Sequence, residues 1–153
     1  NGKDSMFLDE VTTNIIDTFE TLPDDMEEHA MMCFIRFAEM SPNSITARLL
    51  PKLKRGVQKV VGRNREAWES YGGRPLWFAP MPASLLATEL ADSIQRNLDY
   101  EIETQTDDGS WQPVWSWGQY EETWPMAKLE WSGWLTLRNL LAFKSWGRIQ
   151  GAN

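Results

Sequence analysis

"LDYEIETQTDDGSWQPVWSWG", Leu98 to Gly118, decides the fold. Leu86, Leu90, Ile94, Leu98 and Ile102 step by four residues into and through its first part, so a helix is expected from Ser84 to about Gln105. "TDDGS" stops that helix, with Gly109 suited to a left-handed turn. Trp111, Trp115 and Trp117 follow at once. An indole carries a large apolar area and one donor, so in a loop it must pack on something, either the protein or an apolar ligand. Side chains two apart in an extended segment face the same way, so Trp115 and Trp117 would wall a pocket or cover the rim of a core.

Helical periodicity repeats on both sides of this stretch. Leu8, Val11, Ile15, Ile16 and Phe19 mark a first helix from Asp4 to Glu20, which Leu22-Pro23 ends. Pro23 opens a second helix, with Asp24, Asp25, Glu27 and Glu28 in its first turns, where carboxylates favour the helix dipole. Its body, "HAMMCFIRFAEM", is apolar almost all round and is expected to lie buried between neighbours. A third, from Ser44 to Val61, puts Leu49, Leu50, Leu53, Val57, Val60 and Val61 on one side and Lys52, Lys54, Arg55 and Lys59 on the rest. That is a one-sided surface helix, bent or restarted at Pro51. "NREAWESYGGRPLWFAPMP" reads as an irregular connection with one helical turn around Ala67. The C-terminal "ETWPMAKLEWSGWLTLRNLLAFKSWGRI" is helical in two pieces that meet near Ser132-Gly133. No period-two strand occurs. The expectation is one all-α domain over residues 1–153, its helices in antiparallel pairs.

Gln105, Gly109 and Trp111 stand in the spacing of a short QW motif, and "WSWG" and "EWSGWLTLRNLLAFKSWGRI" extend the likeness. The chain resembles, from about Leu22 to Ile149, the prenyltransferase and squalene oxidase repeat proteins related to squalene-hopene cyclases. The resemblance implies an α/α toroid in which inner helices line a cavity and outer helices wrap them. It also implies that Gln105 and Trp111 are structural, the Gln bonding free backbone groups and the Trp stacking over it. Such a ring holds about six helical hairpins, and this chain holds roughly three. The chain would then be the C-terminal half of such a protein, completed by a second copy or by the missing half of a longer chain.

Composition narrows the function. A net charge of −7 with no large Lys/Arg cluster argues against nucleic acid as a partner. The single cysteine, Cys33, rules out an internal disulfide and suits a reducing, cytoplasmic compartment. No apolar run is long enough to span a bilayer, and no signal peptide is read, although the chain begins Asn-Gly without a Met. Nine tryptophans imply deep packing or an aromatic-lined cavity.

Candidate chemistry is sparse. "DDMEE", Asp24 to Glu28, matches an Asp-Asp-x-x-Glu magnesium diphosphate motif, but acidic residues after Pro23 are what a helix start prefers, and no second metal motif follows. The Asp-x-Asp-Asp acid of class II cyclases is absent. His29 and Cys33 stand four apart on one helix face, too few for a zinc site without two carboxylates, so no metal and no cofactor is expected. His29 is the candidate proton donor. Asp99 would be a candidate acid or base if buried, although solvation is the default for Asp99, Glu101 and Glu103 alike. Met32, Cys33, Trp115 and Trp117 are the candidate substrate-binding residues. The expected function is a terpenoid-cyclase-like isomerase or lyase that cyclises or rearranges a hydrophobic polyene, working by shape and aromatic faces, even by a cofactor-free pericyclic step. The alternative is a non-catalytic isoprenoid-binding or subunit-completing helical module.

Overall fold

In a computed structural model the described residues run from 2 to 149, with side chains described from Met6 onward. All regular structure among them is helical: α1 Gly2–Thr21, α2 Glu28–Met40, α3 Asn43–Val60, α4 Arg65–Trp68, α5 Pro75–Phe78, α6 Ala91–Glu103 and α7 Trp124–Ser145. The chain is therefore all-α. It divides into two compact units, residues 1–60 and 61–153. No helix among the described residues is long and apolar enough to cross a membrane.

The first unit is built on α2 and α3, which pack together. Met31, Ile35 and Ala38 of α2 and Leu49, Leu53 and Val57 of α3 are buried. Gly56 lets the two approach: a Cβ there would lie 2.3 Å from the Met31 methyl carbon and 2.7 Å from the Asp24 carbonyl oxygen. Helix α2 starts five residues later than Pro23. The acidic run caps it instead of filling its first turns: the Glu27 carboxylate accepts from the amides of His29 (2.9 Å) and Ala30 (3.1 Å). Asp24 pairs with Arg55 at 3.0 Å, and this hydrogen bond holds its carboxyl below the ordinary range. Nor is α2 buried all round. His29, Cys33, Arg36, Glu39 and Met40 are exposed, so one stripe alone is covered. Helix α3 runs through Pro51 without restarting. Lys52 gathers the carbonyl oxygens that end α1, Phe19 at 2.7 Å and Glu20 at 2.9 Å, which supplies acceptor-side capping from a neighbouring helix.

The second unit holds all nine tryptophans. Gly62 N–H donates to the Gly73 carbonyl at 2.8 Å, and the Trp68 indole N–H to the Gly62 carbonyl at 2.7 Å, which ties the α4 segment into a closed loop. The helix expected from Ser84 begins at Ala91. Residues 84–90 are turns, yet Leu86 and Leu90 still reach the core. Helix α6 buries Ile94, Asn97, Leu98, Tyr100 and Glu101 and packs on α5. Helix α7 runs unbroken through Ser132-Gly133, where two pieces were expected. It buries Ala127, Ser132, Leu135, Asn139, Ala142 and Phe143 on one side.

Candidate functional site

The turn after α6 positions the tryptophan segment. Thr106 Oγ1 donates to the Asp108 carboxylate at 2.6 Å, and that carboxylate also accepts from the Ser110 amide at 3.0 Å. Gly109 takes φ 83°, which a side chain would resist. These hydrogen bonds, that from Thr106 first, hold the Asp108 carboxyl at about 2. The Gln105 amide donates to the Gly109 carbonyl at 2.8 Å and is otherwise exposed. Trp111 does more to tie the helix end. Its indole N–H donates to the Glu101 carbonyl at 2.7 Å, its backbone N–H to Thr136 Oγ1 at 3.1 Å, and its ring meets Phe143 edge-on at 5.6 Å. One buried indole thus joins the end of α6 to α7.

Below this segment lies a cavity of about 240 Å³. Its polar floor is a buried network. Glu101 is 2 % exposed, and its Oε1 accepts from Arg74 at 2.6 Å and from the Asn97 amide at 3.3 Å. Its Oε2 accepts from the Asn139 amide at 3.0 Å. Arg74 gives its other terminal nitrogen to the Trp68 carbonyl at 2.6 Å and places its guanidinium 5.4 Å from the Tyr100 ring centre. The Asn97 side-chain oxygen accepts from the Leu76 amide at 3.3 Å. Three chain segments thus meet in this network: residues 74–76 at the start of α5, helix α6 and helix α7. Arg74 Nε is buried without a hydrogen-bond partner. Burial pushes the Tyr100 phenol up from its ordinary value.

The walls are mixed, with Thr104, Thr106 and Gln112 among apolar and aromatic side chains. Trp77, Trp111, Pro113, Val114, Trp115 and Leu135 line the cavity above Arg74, Glu101 and Asn139. Trp115 is braced from outside. Tyr71 meets it at 5.5 Å and Trp131 at 5.5 Å, both edge to face, and Trp131 in turn meets Trp134 at 5.5 Å. The Arg138 guanidinium lies 4.8 Å from the Trp77 ring centre and 5.0 Å from that of Trp134, which closes the aromatic belt with a cation. The indoles of the loop are therefore stacked first on the protein itself.

Among the expected site residues, only Trp115 lines this cavity. Trp117 turns the other way, pairs with Trp124 at 5.4 Å and stays 45 % exposed. Asp99 is exposed and pairs with Arg148. The condition for an acid or base role, burial, is met two residues on by Glu101. His29 is exposed on the first unit, its Nδ1 on the Glu27 carboxylate, and that hydrogen bond holds the Glu27 carboxyl below its ordinary value. Met32 is half-buried and Cys33 is exposed, both on α2 of the first unit. Glu27, Glu28 and His29 bring ligand atoms within 4.8 Å of one another, but Glu27 already serves two backbone amides. The residues missed by sequence reasoning are Arg74, Asn97, Glu101 and Asn139. No family model, no curated protein and no solved structure matches the chain.

Proposed function

We propose that the second unit binds the end of an apolar polyene or short isoprenoid in the Trp77–Trp111–Trp115 cavity, as part of a terpenoid-cyclase-like protein. The observation that carries this is a buried carboxylate, fixed by three donor side chains, at the floor of an indole-walled cavity. A buried ion pair is a poor way to add stability, since desolvation offsets most of the attraction. At a cavity floor it offers something a hydrocarbon core does not: an anchor for one polar group at the end of an apolar chain.

The volume sets the ligand size. At about 240 Å³ the cavity lies under the roughly 300–1,000 Å³ of drug-sized pockets, so it suits a short isoprenoid or one end of a longer one. Glu101 is not the proton donor of a cyclisation. Its two oxygens accept from one guanidinium and two amides, so it acts as an acceptor that fixes the polar side of the cavity. The indole faces would stabilise positive charge that develops in a bound polyene, or the cavity would simply hold a reactive conformer for a rearrangement that needs no acid.

Fluorescence titration with geraniol and farnesol tests the reading. Binding quenches the tryptophan emission, Trp115→Ala weakens it at least about tenfold, and Asp99→Asn leaves it unchanged. Failure of every isoprenoid alcohol to bind, with Trp115→Ala no different from the parent, would sink the proposal. The alternative, a helical module that completes a partner without catalysis, draws on a separate observation: α7 keeps a second apolar face exposed.

A further inference from the structure

Helix α7 has two apolar faces. One is buried. On the other, Met126, Leu129, Leu137, Leu140 and Leu141 are 65 %, 69 %, 60 %, 41 % and 57 % exposed. All five lie within about 80° of Gly133 on the helical wheel, opposite the buried side. Gly133 is the odd residue in this stripe. It sits inside a long helix, where glycine is the poorest former after proline. Nothing among the described residues asks for it, because an added Cβ would meet no atom within 4 Å. A helix residue kept small on an exposed apolar face is accounted for by another helix that approaches closely there.

We propose that this helix is α7 of a second copy, crossed antiparallel at Gly133. The sequence is self-complementary about that residue. Antiparallel pairing through Gly133 sets Leu137 opposite Leu129 of the second copy and Leu140 opposite its Met126. It sets Lys144, in the last turn of the helix, opposite Glu122 of the second copy, just before its first turn. A parallel pair would instead place Glu122 against Glu122 and Lys144 against Lys144. A twofold axis through the crossing point is the commonest symmetry of soluble oligomers, and it requires this kind of self-matching patch. The area is sufficient. Five such side chains at roughly 100 Å² each make about 1,000 Å² over two copies, the lower bound for a specific interface, so a weak, reversible dimer is expected. This inference is independent of what the cavity binds.

Sedimentation and crosslinking test it. The parent should associate reversibly in the micromolar range. Leu137→Glu should weaken association at least about tenfold, because it places a carboxylate against an apolar side chain, with helicity unchanged in the far-UV spectrum. Lys144→Glu should weaken it, and Glu122→Lys with Lys144→Glu should restore it. In a Cys33→Ser background, Gly133→Cys should give a disulfide-linked dimer on mild oxidation, while Lys128→Cys, exposed on the same helix but off the stripe, should not. Gly133→Leu should raise thermal stability at low concentration yet weaken association, a pair of opposite effects that a purely structural role would not produce. A parent that stays monomeric, with no Gly133→Cys crosslink, overturns the inference. So does a dimer indifferent to Leu137→Glu, which would place the interface elsewhere. Binding of the stripe to phosphatidylcholine vesicles by a monomer would assign the face to lipid and equally overturn it.

Discussion

Truncating Glu101 to alanine should be the most damaging single change in the second unit. The side chain is 2 % exposed, and the Arg74 side chain paired with it is 10 % exposed. Glu101→Ala leaves a guanidinium buried without its counter-charge, at about 3–5 kcal/mol for a broken buried pair. The Asn139 and Asn97 amides each lose an acceptor, which puts the total at the upper end of that range. Against a domain stability of about 5–15 kcal/mol, the variant would be folded marginally or not at all. Glu101→Gln is the gentler companion. It keeps the Arg74 contact but turns an amide N–H toward the Asn139 amide, so donor faces donor unless Asn139 flips. Arg74→Met with Glu101→Leu should be the informative double variant, because it removes both charges together and recovers about 2–3 kcal/mol relative to the sum of the singles. Urea unfolding followed by tryptophan emission is the assay, and it reports on residues 61–153 alone, since no tryptophan lies before Trp68. Additive single effects of under about 1 kcal/mol each, the behaviour of an exposed ion pair, would refute the buried network.

Further outcomes follow from individual contacts. Gly56→Ala should destabilise the first unit by about 2 kcal/mol or more, because its methyl would overlap the Asp24 carbonyl oxygen, as read from the thermal transition by far-UV circular dichroism. Trp111→Phe should lower the second unit's stability by about 1–3 kcal/mol through loss of the bond to the Glu101 carbonyl, while Gln105→Ala, at an exposed residue, should lower it by about 1 kcal/mol or less in the same urea assay; the reverse order would restore Gln105 as the main tie. Asp108 has a folded value of about 2, below the unfolded value of about 3.9, so its contribution is complete above that unfolded value and is lost as pH falls through about 2; Asp108→Asn should flatten the stability profile in this window, read against the parent.

The helices were legible because their apolar spacing survives translation into burial. Val57, Leu53 and Leu49 sit on the covered side of α3 as their positions require, while Arg55 between them is exposed and Lys52 turns onto the end of α1. Helix limits were less legible where a side chain competes with the helix. Glu27 uses its carboxylate as a cap, so α2 starts at Glu28 although Pro23 offers an earlier start. The apolar outline of α2 also misled. Phe34, Phe37 and Met32 are half-buried and Cys33 and Met40 exposed, because a sequence tells which residues would tolerate burial and not how many neighbours arrive to bury them.

The missed carboxylate has a specific geometric cause. Stepping by four from Leu86 leads through Leu90, Ile94 and Leu98 to Ile102. Leu86 precedes α6 and Leu90 caps it, so only the steps from Ile94 through Leu98 to Ile102 lie in the helix; each turns about 40° beyond a full circle, which carries Ile102 about 80° from Ile94, off the covered face. Ile102 is accordingly 43 % exposed. The covered face follows the true period through Leu90, Ile94, Asn97, Leu98 and Glu101, and so carries an amide and a carboxylate where the shorter rule places an isoleucine. Asn139 hides in α7 for a related reason. A helix apolar on both faces does not show in its sequence which face turns inward, and α7 buries Ser132 and Asn139 while five of its apolar residues, Met126, Leu129, Leu137, Leu140 and Leu141, stay exposed. The buried side is mixed, Ser132 and Asn139 standing among Ala127, Leu135, Ala142 and Phe143, so the number of apolar residues on a face does not tell which one meets the polar network. Asn139 reaches Glu101 from the same side of α7 as Leu135 and Phe143, a position that apolar spacing alone does not single out.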